Sequence, residues 1–156
     1  MLKLLYVIKL PIMPKASPQT LPQANRHSDD AGALLLVEDH QGYREVMRTA
    51  LACYLPGFEV AEAESIATAL TALETRRFDV MVTDMTLPDG SGIDLVDQAG
   101  RFIHDGMRVI LTSSHDSREM RPALDRGDVH GYVAKENGVK ALAQAVRDVT
   151  GGRHTS

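Results

Sequence analysis

Six positions carry side chains that could do chemistry together: Glu38, Asp39, Asp84, Thr112, Ser113 and Lys135. Each follows or ends a short apolar run, at Leu34–Val37, Phe78–Thr83, Val109–Leu111 and Gly131–Ala134. If those runs are parallel strands, these residues meet at the carboxyl edge of one sheet, where open α/β sheets bind their ligands. Carboxylates gathered there repel one another unless a cation or protons intervene. An oxygen-rich site with water access suits a small hard ion such as Mg²⁺. One carboxylate can then attack phosphorus to give an acyl phosphate, while metal and a lysine ammonium neutralise the equatorial oxygens. Asp84 ends the central run and is the natural nucleophile. Lys135 would supply the point charge, and Ser113 or Thr112 a hydrogen bond to the phosphoryl group.

The elements that must position these residues are legible as five alternating units. After Leu34–Val37, the residues Tyr43, Val46, Met47, Ala50, Leu51 and Tyr54 recur at spacings of three and four, one helical stripe that ends before Pro56 and Gly57. Phe58–Ala61 is a second strand, and Ser65 caps a helix carrying Ile66, Ala69, Leu70 and Leu73. Phe78–Thr83 is the third strand. A loop from Pro88 to Gly92 leads into a helix with Ile93, Leu95, Val96 and Phe102. Ser117–Arg126 is a weaker helix stopped by Gly127, and its few apolar residues suggest a mobile or partner-facing element. After the strand Gly131–Ala134, Val139, Leu142, Ala143, Val146 and Val149 stripe the last helix, which Gly151 and Gly152 end. Strands that are continuously apolar are buried on both faces, as in a parallel sheet wound with helices on both sides.

Composition narrows the classes. At 156 residues the chain suits one domain with a single core. A net charge of -4 and a pI near 5.8 argue against a nucleic-acid-binding surface. The lone Cys53 is read as a small core or helix-surface residue in a reducing, cytoplasmic setting. The apolar run Leu4–Ile8 is too short to span a bilayer, and Lys9, Pro11 and Pro14 interrupt any signal-peptide pattern. Residues 1–32 read as a flexible leader, 33–152 as the folded domain and 153–156 as a tail. His104, His115 and His130 are expected at exposed loops or helix ends, with no metal-site spacing.

The acidic pair in Leu35-Leu36-Val37-Glu38-Asp39-His40, the segment from Val82 to Gly92 and Gly131-Tyr132-Val133-Ala134-Lys135 resemble the motifs of bacterial response-regulator receiver domains. The resemblance covers about Leu34 to Gly151. It implies a flavodoxin-like (βα)5 fold with strand order 2-1-3-4-5 and a phosphoacceptor signalling role, not an enzyme beyond its own phosphorylation and dephosphorylation. It implies Asp84 as phosphoacceptor, Mg²⁺ held by Glu38, Asp39, Asp84 and the backbone carbonyl of Thr86, Lys135 in the family's lysine role, and Tyr132 as the rotating aromatic switch. Its implied partners are a sensor histidine kinase or phosphotransfer protein, and a second copy through the face of the fourth helix, fifth strand and fifth helix. Nucleic acid and membrane are not expected partners of this chain.

Two departures matter. Glu136 stands where the family often has proline, which resembles the subgroup preceding helix-turn-helix output domains. The chain ends where such a domain would begin, so a stand-alone receiver and a truncated one are both compatible with it. Counting back from Lys135 favours Ser113 as the switch hydroxyl, and counting forward from Asp84 favours Thr112. An extra residue within Gly127–Gly131 can account for the conflict, and Ser113 is the preferred reading. A dehalogenase-type phosphohydrolase would need a second aspartate where Thr86 stands. A nucleotide-binding or flavin-binding module would need a glycine-rich loop after the first strand, where acidic residues stand instead. A receiver-like adaptor that works without phosphorylation is the alternative to be tested.

Overall fold

The computed structural model describes residues 31–114, 118 and 121–153. Residues 1–30 of the expected leader, His115, Ser117 and the last three residues of the tail lie outside them, and Gly32, expected as the leader's last residue, begins the first strand. Five parallel strands form the sheet: β1 (Gly32–Val37), β2 (Phe58–Ala63), β3 (Val80–Asp84), β6 (Arg108–Ser113) and β7 (Gly131–Ala134). Their order is β2-β1-β3-β6-β7, the flavodoxin-like 2-1-3-4-5 arrangement with β3 central. The helices are α1 (Gln41–Tyr54), α2 (Ile66–Thr75), α3 (Gly92–Gln98), α4 (Gly100–His104), α5 (Arg121–Arg126) and α6 (Gly138–Val149), the last after a 3₁₀ turn over Lys135–Asn137.

The unbroken apolar strands are explained by two hydrophobic layers. Leu34, Leu36, Val80, Val82, Ile110 and Val133 point to one face, where Met47 and Leu51 of α1 and Leu142, Ala143 and Val146 of α6 cover them. Leu35, Val37, Met81, Val109 and Leu111 point to the other, against Ile66, Ala69 and Leu73 of α2 and Leu95 and Val96 of α3. Side chains alternate along a strand, so a residue's parity decides which layer it joins. Burying each such leucine contributes roughly 1.5–3 kcal/mol.

Several sequence expectations are corrected. The single helix expected after Gly92 is two, because the backbone at Ala99 leaves the α region at ψ 7 and restarts at Gly100. The expected loop Pro88–Gly92 instead closes a small antiparallel hairpin of β4 (Thr86–Leu87) and β5 (Gly90–Ser91). The hairpin tip docks on α2: the Asp89 carboxylate accepts the Ile66 and Ala67 backbone N–H groups at 2.8 and 3.0 Å. These donors have no intrahelical partner, so Asp89 completes the capping box of Ser65 and Thr68 from a distant segment. The two backbone bonds hold its carboxyl below the usual range. Val46 belongs by spacing to the α1 stripe yet is 65% exposed, because Tyr43, Met47 and Leu51 already fill the contact with the sheet. Cys53 is exposed on the helix surface, the second of its two expected placements.

Candidate functional site

Parity carries the strand ends to their places. Glu38 follows Leu34 and Leu36, Asp84 follows Val80 and Val82, Thr112 follows Ile110, and Lys135 follows Val133, all on the face that α1 and α6 cover. Glu38 and Asp84 are buried, and Asp39, one residue along, is exposed. The Lys135 ammonium donates to Glu38 Oε2 at 2.7 Å and to Asp84 Oδ2 at 2.9 Å. Burial, the largest influence on Lys135, disfavours its charge. The hydrogen bonds to Glu38 and Asp84 and their charges together outweigh it and hold the pKa above the usual lysine value.

Carboxylate oxygens of Glu38, Asp39 and Asp84 lie within 4.8 Å of one another. Three carboxylates against one ammonium leave two negative charges, which a single divalent cation balances. The donors are all hard oxygens and one of the three residues faces solvent, so retained water can complete an octahedron; this donor set fits Mg²⁺. Thr86, expected to add its carbonyl, begins β4 two residues beyond Asp84.

The segment after Asp84 is held tightly. Met85 N–H donates to the Thr112 carbonyl and Gly92 N–H to the Met85 carbonyl, both at 2.9 Å. A Cβ on Gly92 would sit 2.5 Å from the Asp84 carbonyl oxygen, so only glycine allows the hairpin to close this near the Asp84 peptide.

Register separates the two candidate hydroxyls. Thr112 is the ladder partner of Asp84, and its hydroxyl lies 3.4 Å from the Thr83 carbonyl. Ser113, equally buried, is one residue on, where strand alternation turns the side chain toward the opposite layer. Tyr132 also lies on that opposite layer, half-buried and level with Leu111 of β6. The structure thus gathers Glu38, Asp39, Asp84, Thr112 and Lys135 on one side and sets Ser113 and Tyr132 on the other.

Three residues near the site were not singled out by sequence. The Tyr43 ring centroid is 4.6 Å from the Lys135 Nζ, although Tyr43 reads by spacing as a core residue. Arg44 donates to the Glu38 carbonyl at 2.6 Å and pairs with Glu62 at 3.4 Å. His40 caps α1 through Nδ1, which accepts the Tyr43 N–H, while its own N–H donates to Glu38 Oε1. Their nearness to Asp39 at the start of α1 was the available signal. His130, expected to be exposed, is half-buried: its Nδ1 accepts the Val109 N–H at 3.0 Å and its N–H donates to the Val109 carbonyl. The ring prolongs the β6–β7 ladder by one position. His104 is exposed as expected.

A family model for the response regulator receiver domain matches residues 34–147. The chain belongs to that family. The receiver is 37% identical over 120 residues to the DNA-binding transcriptional activator DevR/DosR of Mycobacterium tuberculosis, covering 77% of this chain and 55% of that protein. It is 33% identical over 114 residues to the KDP operon transcriptional regulatory protein KdpE of Escherichia coli, covering 73% and 49%. The chain spans about half the length of these curated relatives. Among solved structures, a LuxR-family two-component response regulator from Aurantimonas superposes with a TM-score of 0.69 at 27% identity, covering 79% of this chain and 87% of that one. The signal receiver domain of a response regulator, NarL, from Mycobacterium tuberculosis gives 0.68 at 24%, covering 80% and 99%. Among the described residues, no helix is long and apolar enough to cross a membrane.

Proposed function

We propose that this receiver accepts a phosphoryl group on Asp84 from a sensor histidine kinase or phosphotransfer protein in the cytoplasm, and passes the event on as a change of surface. The observation that carries the reading is the Lys135 ammonium bridging Glu38 and Asp84 beside the Asp39 carboxylate. An Asp84 carboxylate oxygen attacks phosphorus as the donor's bond to phosphorus breaks, and the electron pair of that bond leaves with the donor. The product is an acyl phosphate. Glu38, Asp39, Asp84 and the Thr86 carbonyl would hold Mg²⁺, which supplies charge neutralisation for the transferring group. Lys135 neutralises a further phosphoryl oxygen once Asp84 is phosphorylated. One similar structure, at 23% identity, is of a response regulator from Thermotoga maritima in complex with Mg²⁺ and BeF.

The switch hydroxyl in this reading is Thr112, with Ser113 the alternative. The Asp84–Thr112 pairing supports it, and an extra residue within Gly127–Gly131 would account for counting back from Lys135 landing one position later. A hydrogen bond from Thr112 to the phosphoryl group would draw the loop after β6 inward, and Tyr132 would rotate into the space released. The α5, β7 and α6 face would then bind a partner or a second copy. The chain performs no turnover chemistry on another substrate, and the DNA binding in a relative's name is a property of that longer protein.

Incubation with Mg²⁺ and acetyl phosphate, followed by intact mass, tests the proposal. One added phosphoryl mass, absent without metal and in Asp84→Asn, is expected. No added mass on folded, Mg²⁺-binding protein would refute phosphorylation and favour the adaptor reading.

A further inference from the structure

We propose that Tyr43 is a positioning residue for Lys135, its ring face holding the ammonium beside Asp84 while the carboxylates are engaged elsewhere; this role rests on Asp84 being the phosphoacceptor. The ring centroid lies 4.6 Å from Nζ, inside the roughly 6 Å within which an aromatic face attracts a cation. Lysine is a point charge on a flexible four-carbon stem, and Lys135 sits where β7 turns into the 3₁₀ segment, so its backbone alone does not fix Nζ. Glu38 and Asp84 each take one of its three N–H donors, and the ring lies against the same ammonium.

The Tyr43 backbone is pinned. Its N–H bonds to His40 Nδ1, the next residue Arg44 grips the Glu38 carbonyl, and Met47 and Leu51 anchor the helix one and two turns on. Burial, foremost, raises the Tyr43 pKa, with the Lys135 charge acting in the opposite sense, so the ring is the neutral phenol that attracts cations. The division of labour follows from chemistry. The two carboxylates that bind Lys135 are also the groups a divalent cation and a phosphoryl group would draw upon. A π face ligates neither, so it stays available to the ammonium when carboxylate charge is shared.

The test compares Tyr43→Phe, which keeps the ring, with Tyr43→Leu and Tyr43→Met, which fill a half-buried helical site without one. Lys135 is titrated by NMR through its side-chain Cε and Nζ signals in metal-free protein, and phosphoryl uptake from acetyl phosphate with Mg²⁺ is timed separately. The leucine and methionine variants should lose the Lys135 proton at lower pH than the parent and take up phosphoryl about three- to thirtyfold more slowly, with Phe restoring both. Two results overturn the proposal: folded Leu or Met variants matching the parent in both readouts, or Phe as impaired as they are, which would move the role to the hydroxyl. If the parent takes no phosphoryl group while the Lys135 titration still follows the ring, the phosphoacceptor reading falls and the contact stands.

Discussion

Replacing Gly92 by alanine tests how rigidly the hairpin holds Asp84. A Cβ there would stand 2.5 Å from the Asp84 carbonyl oxygen and 3.2 Å from Leu111 Cδ2, where ordinary contact begins at 3.4 Å. Leu111 is fully buried and the oxygen is backbone, so neither wall can swing aside as a surface side chain would. Relief requires moving the Asp84 peptide or stretching the 2.9 Å bond from Gly92 N–H to Met85. Overpacking of this kind costs about 1–3 kcal/mol, and a backbone wall places Gly92→Ala near 2–3. For a domain of this size that lowers Tm by roughly 6–15 °C. Gly100→Ala is the control, because a Cβ there meets nothing within 4 Å and a helical alanine is favoured by about 0.5–1 kcal/mol. Thermal and urea unfolding should move the two variants in opposite directions. If Asp84 is the phosphoacceptor proposed above, displacing its peptide by a large fraction of an ångström should also slow phosphoryl uptake by about tenfold to a hundredfold. A Gly92→Ala protein within 0.5 kcal/mol of its parent, beside a control that behaves as stated, would refute the claim of a rigid contact.

Lys135→Met removes the cation that bridges Glu38 and Asp84, and should destabilise the metal-free protein by about 3 kcal/mol at neutral pH, the low end for breaking a buried pair because the site's edge is open to water. Millimolar Mg²⁺ should recover part of that loss in urea melts; equal losses with and without Mg²⁺ would count against a shared cation site. Thr112→Val should slow phosphoryl uptake or shorten the acyl phosphate's lifetime by about tenfold or more, with Ser113→Ala the smaller effect, and the reverse ranking would return the switch to Ser113. His130 titrates below the usual histidine value, through burial first and the Arg108 charge second, against the pull of Asp128. A lowered folded pKa means that the stability it contributes is complete above about pH 6.5 and is lost as pH falls through the folded value. Urea unfolding at pH 7.5 and 5 should therefore show a loss in the parent that His130→Gln, which keeps an acceptor but cannot titrate, does not share; parallel losses would refute it.

The strands and the residues at their ends were legible because both depend on local patterns. Short apolar runs, unbroken at Leu34–Val37 and Val80–Val82, announced a sheet buried on both faces, and the topology rule for parallel sheets then brought Glu38, Asp39, Asp84 and Lys135 to one edge. Helix stripes were legible for the same reason, though spacing could not tell that Val46 is left outside the contact while its neighbour Met47 fills it. Which of Thr112 and Ser113 pairs with Asp84 depends on the β3–β6 register, a relation between segments 28 residues apart that counting along one chain does not fix. The His130 ring in the ladder, the Asp89 cap on a helix more than 20 residues upstream, and the Tyr43 face against Lys135 are contacts of the same kind. Residue type and period set which elements form and which groups sit at their ends. Which groups touch was decided only when the packed layers brought together residues as far apart as Glu38 and Lys135, 97 positions along the chain.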